Sequence, residues 1–128
     1  MFLHLTDLSH EPLQAQIIRQ IRAKILAGEI SAGADLPSIR RFAREHHISV
    51  ITVQRAYEGL EREGLIHSRR GKGFFVSDIT AKTKKTMAKE KLQDSLKPRM
   101  EEALAEGLNT EEIKKVVQDL LENGILKK

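Results

Sequence analysis

The apolar residues of this chain fall into stripes of helical spacing, separated by short turn-forming stretches. Leu13, Ile17, Ile21 and Ile25 recur every four residues, with Ile18 and Leu26 widening the stripe, so a helix is predicted over residues 12–27. Pro12 suits a first helical turn and Gly28 a left-handed stop. A turn-rich stretch, residues 28–35, leads to Leu36-Pro37. Ser38 is placed to cap a short helix over residues 39–46, whose apolar face is Ile39, Phe42 and Ala43. His47-Ile48 make a brief turn, and Ser49 is placed to cap a third helix over residues 50–63. There Val53, Ala56, Tyr57 and Leu60 share one face, and Gly64 ends the run.

Two short apolar-containing runs, residues 65–70 and 74–77, flank Gly71-Lys72-Gly73, the signature of a β-hairpin. The order helix, helix, turn, helix, hairpin is that of a winged helix-turn-helix. After it the composition changes. Residues 80–91 are rich in Lys, Thr and Ala and read as a junction into a long helix with a stripe of Leu92, Leu96, Met100, Ala103, Leu104 and Leu108. Pro98 lies inside that stripe and is expected to kink or break the helix at the preceding residue. Asn109 and Glu112 have capping-box spacing and open a last helix, striped by Ile113, Val116, Val117, Leu120 and Leu121 and closed by Asn123-Gly124. The expected fold is therefore mostly α with a small β-hairpin. A winged helix-turn-helix DNA-binding domain occupies residues 1–78, and a short helical dimerisation region occupies residues 79–128. No internal repeat is visible.

Composition narrows the function. The chain has 128 residues, 40% of them hydrophobic but only 4% aromatic, and lacks Trp, so its core is mainly aliphatic. Between Ser38 and Gly73 eight basic residues (Arg40, Arg41, Arg44, Arg55, Arg62, Arg69, Arg70, Lys72) face four acids, a net +4 that equals the charge of the whole chain. The positive charge is concentrated where the helix-turn-helix lies, which permits a nucleic-acid partner without establishing one. The chain has no Cys, which excludes disulfides, thiolate metal sites and Cys nucleophiles. Neither a signal peptide nor a run of membrane-spanning length is visible, so the expected localisation is cytoplasmic and no membrane partner is expected. The five His form no His-x-x-x-His or Glu-x-x-His pair, and Gly71-x-Gly73 sits in a hairpin rather than before a helix. No metal, no cofactor and no enzyme activity are expected.

The second helix of a helix-turn-helix enters the major groove and presents its N-terminal residues to base edges. Opposite the apolar face of residues 50–63 lie Ile51, Gln54, Arg55, Glu58 and Arg62, with Val50, Ile51 and Thr52 in the first turn. A Gln amide pairs bidentately with adenine, and the methyls of Val, Ile or Thr meet a thymine methyl. Arg55 can reach phosphate or guanine, or stand as a solvated charge; Val50 and Ile51 can instead pack on a neighbouring element. Arg40, Arg41 and Arg44, on the helix that Ser38 caps, fit phosphate contact. Arg69, Arg70 and Lys72 fit a wing lying over phosphate or the minor groove. The Lys82–Lys91 run is a third phosphate contact or a solvated linker.

Several spaced motifs carry a family resemblance. Pro12-Leu13-x-x-Gln16-Ile17, Gly33-x-x-Leu36-Pro37-Ser38-x-Arg40 and Thr52-Val53-x-x-Ala56 occur in order. Leu60-Glu61-x-Glu63-Gly64-Leu65-Ile66 and Arg70-Gly71-Lys72-Gly73-x-Phe75-Val76 follow, so that residues 10–77 resemble the N-terminal domain of the GntR family. The resemblance implies that Ser38, Arg40, Ser49, Thr52 and Gly71 approach DNA. Val50 and Gln54 stand where many members carry a guanine-reading Arg, so that contact is not implied here. The segment Thr52–Tyr57 resembles the YtrA-type subfamily, whose short two-helix C-terminal region implies a homodimer. The full expected DNA-contact set is Ser38, Arg40, Arg41, Ser49, Val50, Ile51, Thr52, Gln54, Arg55, Arg70, Gly71 and Lys72. Leu92, Leu96, Met100, Leu104, Ile113, Val116, Val117, Leu120 and Leu121 are expected at a dimer interface; packing on the winged helix of the same chain is the competing use of those stripes. The expected function is a homodimeric regulator, a repressor rather than an activator, on an inverted-repeat operator in double-stranded DNA. A winged-helix protein–protein adaptor is the alternative, and the residues name no small-molecule effector.

Overall fold

The computed structural model describes Met1 and residues 3–125, without the side chain of Ile125. In order come α1 (Leu13–Leu26), α2 (Ile39–His46), α3 (Val50–Arg62), β1 (Ile66–Arg69), β2 (Gly73–Val76), α4 (Ala81–Ala105), α5 (Thr110–Asp119) and a π-helical turn, Leu120–Ile125. The described residues are mostly helical, with β1 and β2 forming an antiparallel hairpin that pairs Ile66 with Val76 and Arg69 with Gly73. The chain divides into two compact units, Met1–Lys85 and Thr86–Lys128.

The first unit closes around one aliphatic core. Ile17, Ile21 and Ile25 of α1 and Val53, Ala56 and Leu60 of α3 are fully buried, together with Phe42, Tyr57 and Leu65. The two long helices approach closely because Gly59 has no side chain; a Cβ there would lie 2.8 Å from Ile18 Cδ1. Leu3 joins this core, although the apolar pattern starts ten residues later in the chain. Two glutamines of α1 hold the leading segment in place. Gln16 accepts from the Thr6 N–H at 3.0 Å and donates to the Thr6 and Glu11 carbonyls at 2.8 Å. Gln20 accepts from the His4 N–H and donates to its carbonyl at 2.9 and 2.7 Å. A buried amide is tolerated only when its hydrogen bonds are made, and these are. Arg22, also buried, pairs through Nε with Glu63 Oε1 at 3.1 Å, tying α1 to the end of α3.

The turn-rich stretch after α1 has more order than its composition indicates. Gly33 N–H donates to Val76 O at 2.8 Å, Val76 N–H to Ala34 O at 2.9 Å and Leu36 N–H to Phe74 O at 2.9 Å. Residues 33–36 thus run along the free edge of β2 and make a third, short partner for the hairpin, with Asp35 bridged to Phe75.

Two expectations for the C-terminal half are corrected. First, α4 is neither broken at Pro98 nor preceded by a junction. It runs without interruption from Ala81, and Thr80 Oγ1 accepts from the Thr83 N–H at 3.1 Å as its cap. A proline removes one N–H donor at a cost of about 3 kcal/mol, and long flanks of good helix formers on both sides outweigh that. Second, Asn123-Gly124 does not close α5, because the backbone widens into the π-helical turn at Leu120 and carries both residues within it. The capping box forms, with the Asn109 side chain accepting from the Glu112 N–H and Glu112 from the Asn109 N–H, at 2.9 and 3.0 Å. No residue of α4 or α5 is buried.

Candidate nucleic-acid interface

Both helices of the interface begin at a side-chain cap. Ser38 Oγ accepts from the Arg41 N–H at 3.1 Å and starts α2; Ser49 Oγ accepts from the Thr52 N–H at 3.2 Å and starts α3. Between them the chain turns on His47, whose φ of 55° makes it the one described non-glycine residue with a left-handed backbone. Helix α2 packs on α3 through Phe42 and Tyr57, whose rings meet edge-on at 6.0 Å.

Tyr57 ties the whole site together. Its hydroxyl donates to Pro37 O at 2.7 Å, just before α2, and its ring meets Phe74 of β2 edge-on at 5.1 Å. One buried side chain thereby fixes the recognition helix against both the preceding helix and the wing. Burial disfavours the phenolate and pushes the Tyr57 pKa above its ordinary value, with the nearby Glu45 charge adding to the effect. Ser68 Oγ donates to Glu61 Oε2 at 3.1 Å and adds a polar tie between wing and α3.

With Val53, Ala56, Tyr57 and Leu60 facing inward, the opposite face of α3 is left to solvent. Val50 is 45% exposed and Ile51 60% exposed, and Gln54, Arg55, Glu58 and Arg62 are exposed beside them; Thr52 is half-buried. Val50 and Ile51 are therefore left out of the core that α3 helps to form. Arg40, Arg41 and Arg44 are exposed on α2. At the wing tip the Lys72 N–H donates to Arg69 O at 2.9 Å, closing a turn in which Gly71, with φ 75°, occupies the left-handed position. Arg70, Gly71 and Lys72 are exposed at that turn, while the Arg69 guanidinium lies over the Phe75 ring, 4.8 Å from its centre.

Some of these groups are already engaged. The hydroxyls of Ser38 and Ser49 act as caps, and Thr52 Oγ1 donates to Ser49 Oγ at 3.3 Å. Arg41 Nε bonds Glu45 Oε1 at 2.6 Å, which holds the Glu45 carboxyl below its ordinary pKa and raises that of Arg41. Gln54 Nε2 donates to Glu58 Oε1 at 3.2 Å. Sequence reasoning passed over Tyr57 as the tie, Glu45 and Glu58 as partners of the expected DNA-facing groups, and the Arg69–Phe75 stack. The i, i+4 spacing of Arg41 with Glu45 and of Gln54 with Glu58 was the available signal for two of them. Among the described residues no three His, Asp or Glu side chains are gathered so as to hold a metal ion. No described helix is long and apolar enough to cross a membrane.

Residues 13–76, from the start of α1 to the end of β2, match the model of the bacterial regulatory proteins of the gntR family. The chain belongs to the GntR family. Among its relatives, an uncharacterized HTH-type transcriptional regulator of Bacillus subtilis, YhcF, is 32% identical over 119 residues, 91% of this chain and 95% of that protein. The HTH-type transcriptional repressor YtrA of the same organism is 39% identical over 89 residues, 66% of this chain and 68% of the repressor. Among solved structures, a transcriptional regulator from Oenococcus oeni is similar over 94% of this chain and 99% of its own, with a TM-score of 0.72 and 29% identity. The AraR DNA-binding domain in complex with operator ORX1 matches 59% of this chain and 93% of its own, with a TM-score of 0.52 and 28% identity. The GntR-family member described here is a winged-helix, DNA-binding transcriptional regulator and not an enzyme, and it resembles the YtrA-type repressors.

Proposed function

We propose that this GntR-family chain is a cytoplasmic repressor that binds an inverted-repeat operator as a homodimer. Helix α3 reads base edges through Val50, Ile51, Thr52 and Gln54, with Arg55 beside them. Arg40 and Arg41, with the N-termini that Ser38 and Ser49 cap, meet phosphates, and the wing tip of Arg70, Gly71 and Lys72 covers the adjacent groove or backbone. The helices beyond the wing pair two copies.

The observation that carries this reading is the exposure of two apolar surfaces that have no use in a lone chain. One is the Val50-Ile51 pair on the outward face of α3. The other is the pair of C-terminal stripes, of which Leu92, Leu104, Val116, Leu120 and Leu121 are exposed and Leu96, Met100, Ile113 and Val117 half-buried. Met100, Leu104, Ile113, Val117 and Leu121 line an apolar groove of about 460 Å³ between α4 and α5. A two-fold pairing is the commonest way for a small protein to cover such a surface, and it presents two recognition helices to one duplex.

A binding selection from a randomised duplex library tests the proposal. The expected product is a motif of two inverted half-sites, with Gln54→Ala relaxing one base position in each half and Arg41→Ala weakening all sequences alike. Recovery of a lone half-site contradicts the dimeric reading, and recovery of no sequence favours a protein-docking role for the winged helix.

A further inference from the structure

Glu58 is an acid on the face of α3 that the proposed function turns toward a polyanion. In that position it repels phosphate, and it fills no cavity, being exposed. Its one side-chain hydrogen bond among the described residues is with the residue assigned to base reading: the Gln54 Nε2 donates to Glu58 Oε1 at 3.2 Å.

That contact decides what the amide offers. A Gln side chain presents one acceptor, Oε1, and two N–H donors on Nε2, and rotation about its last bond exchanges the two ends. A carboxylate only accepts, so it holds the nitrogen end and excludes the flipped amide, which would set Oε1 against a negative oxygen. One N–H is taken by Glu58. The remaining N–H and Oε1 are left as an ordered donor–acceptor pair, the complement of adenine N7 and N6. Bond and repulsion both strengthen when the duplex displaces water from this face.

From this geometry we propose that Glu58 is a positioning residue, which sets the amide orientation of Gln54 and through it the base preference of the recognition helix. The inference rests on the reading of α3 as the base-reading helix. Glu58 touches no base itself; it acts through Gln54.

The test uses the 128-residue chain and the duplex recovered from a randomised library, with each single-base variant of that duplex as competitor. Glu58→Ala is expected to lower discrimination about tenfold at the same base pair that Gln54→Ala affects, and at no other. The double variant is expected to discriminate no worse there than Gln54→Ala alone, since both changes remove one interaction. Glu58→Gln, whose amide donates as well as accepts and so no longer excludes the flipped Gln54, is expected to lose most of the preference as well. Helix content by circular dichroism checks that each variant is folded. Loss of discrimination at a different base pair overturns the proposal by making Glu58 a base contact. Uniform tightening on all duplexes, with the preference intact, also overturns it and reduces Glu58 to a repulsive charge. A wild-type chain that selects no sequence removes the functional reading and this inference with it, whereas either of the preceding outcomes leaves the functional reading standing.

Discussion

The two units of this chain carry the same kind of sequence and use it in opposite ways. Helices α1 and α3 are amphipathic, and every central residue of their stripes is at or near zero exposure. Helices α4 and α5 also carry apolar stripes, yet Leu92 is 58% and Val116 52% exposed, and neither helix buries a residue. The difference is one of partners. In the first unit α1, α3 and β1 each offer an apolar face to the same centre, and Tyr57 and the Arg22–Glu63 pair lock the arrangement. In the second, the described residues supply only α4 and α5 with the π-helical turn that continues α5, and such a pair leaves one side of each stripe uncovered. Periodicity shows that a face is made to be buried; the number of faces within reach decides whether one chain can bury it.

The contrast is sharpest under truncation of a single side chain in each unit. Leu60→Ala opens a cavity in a closed core and is expected to cost about 2–5 kcal/mol in a denaturant titration, a large part of the stability of a domain this size. Leu104→Ala removes the same atoms from an exposed stripe and is expected to leave the unfolding free energy of the winged helix unchanged. Equal costs at the two positions would mean that the C-terminal stripe is buried against the first unit.

Charge placed on that stripe separates function from folding. Leu104→Glu combined with Val117→Glu is expected to lower affinity for a two-half-site duplex by about 100-fold, the loss that accompanies separated half-sites, while the winged helix melts at the same temperature. Affinity that survives both charges would break the link between the helices and DNA binding.

The first unit should also be the one that reports alkaline pH. The Tyr57 phenol is buried and its pKa is raised, so above the ordinary phenol value of about 10 the unfolded chain loses a proton that the folded chain keeps. Stability is therefore full below about pH 10 and falls as pH rises beyond it. Tyr57→Phe is expected to remove this dependence, at the cost of the bond to Pro37, when unfolding is followed on both sides of that pH.

The smallest expected effect lies in the turn of the helix-turn-helix. Helices α1, α3 and α4 each end on a glycine with positive φ: Gly28, Gly64 and Gly107. Helix α2 closes with the same pair of bonds, His47 N–H to Arg44 O and Ile48 N–H to Ala43 O, but with a histidine in the left-handed position. His47→Gly is expected to raise the unfolding free energy by about 0.5 kcal/mol, relief of backbone strain exceeding the added freedom of the unfolded chain.

What could be read from sequence follows the range of the interactions involved. The helices α1 to α3 and the caps at Ser38, Ser49 and Asn109 are local, set by residues within a turn of one another, and they were legible. So was the outward face of α3, once Val53, Ala56, Tyr57 and Leu60 were taken as inward. Contacts over longer separations were not. Leu3 enters the core where Gln16 and Gln20 clamp the backbone of residues 4 and 6, and neither glutamine carries an apolar signal. Residues 33–36 join the hairpin through backbone bonds, which composition does not encode. At Pro98 the local rule was legible and insufficient, because helix on both sides outweighs one missing donor. Glu58 went unread as a partner because a charge run on a helix is ordinarily a solvated face.

The claim at the centre of this account is that the second unit is unfinished in one chain and completed by another. Sedimentation of the intact chain beside residues 1–85 tests it directly, since Met1–Lys85 forms a compact unit with its own core. The account predicts the mass of two chains for the intact protein and of one chain for the shorter piece. A single-chain mass for the intact protein, or a two-chain mass for residues 1–85, would contradict it.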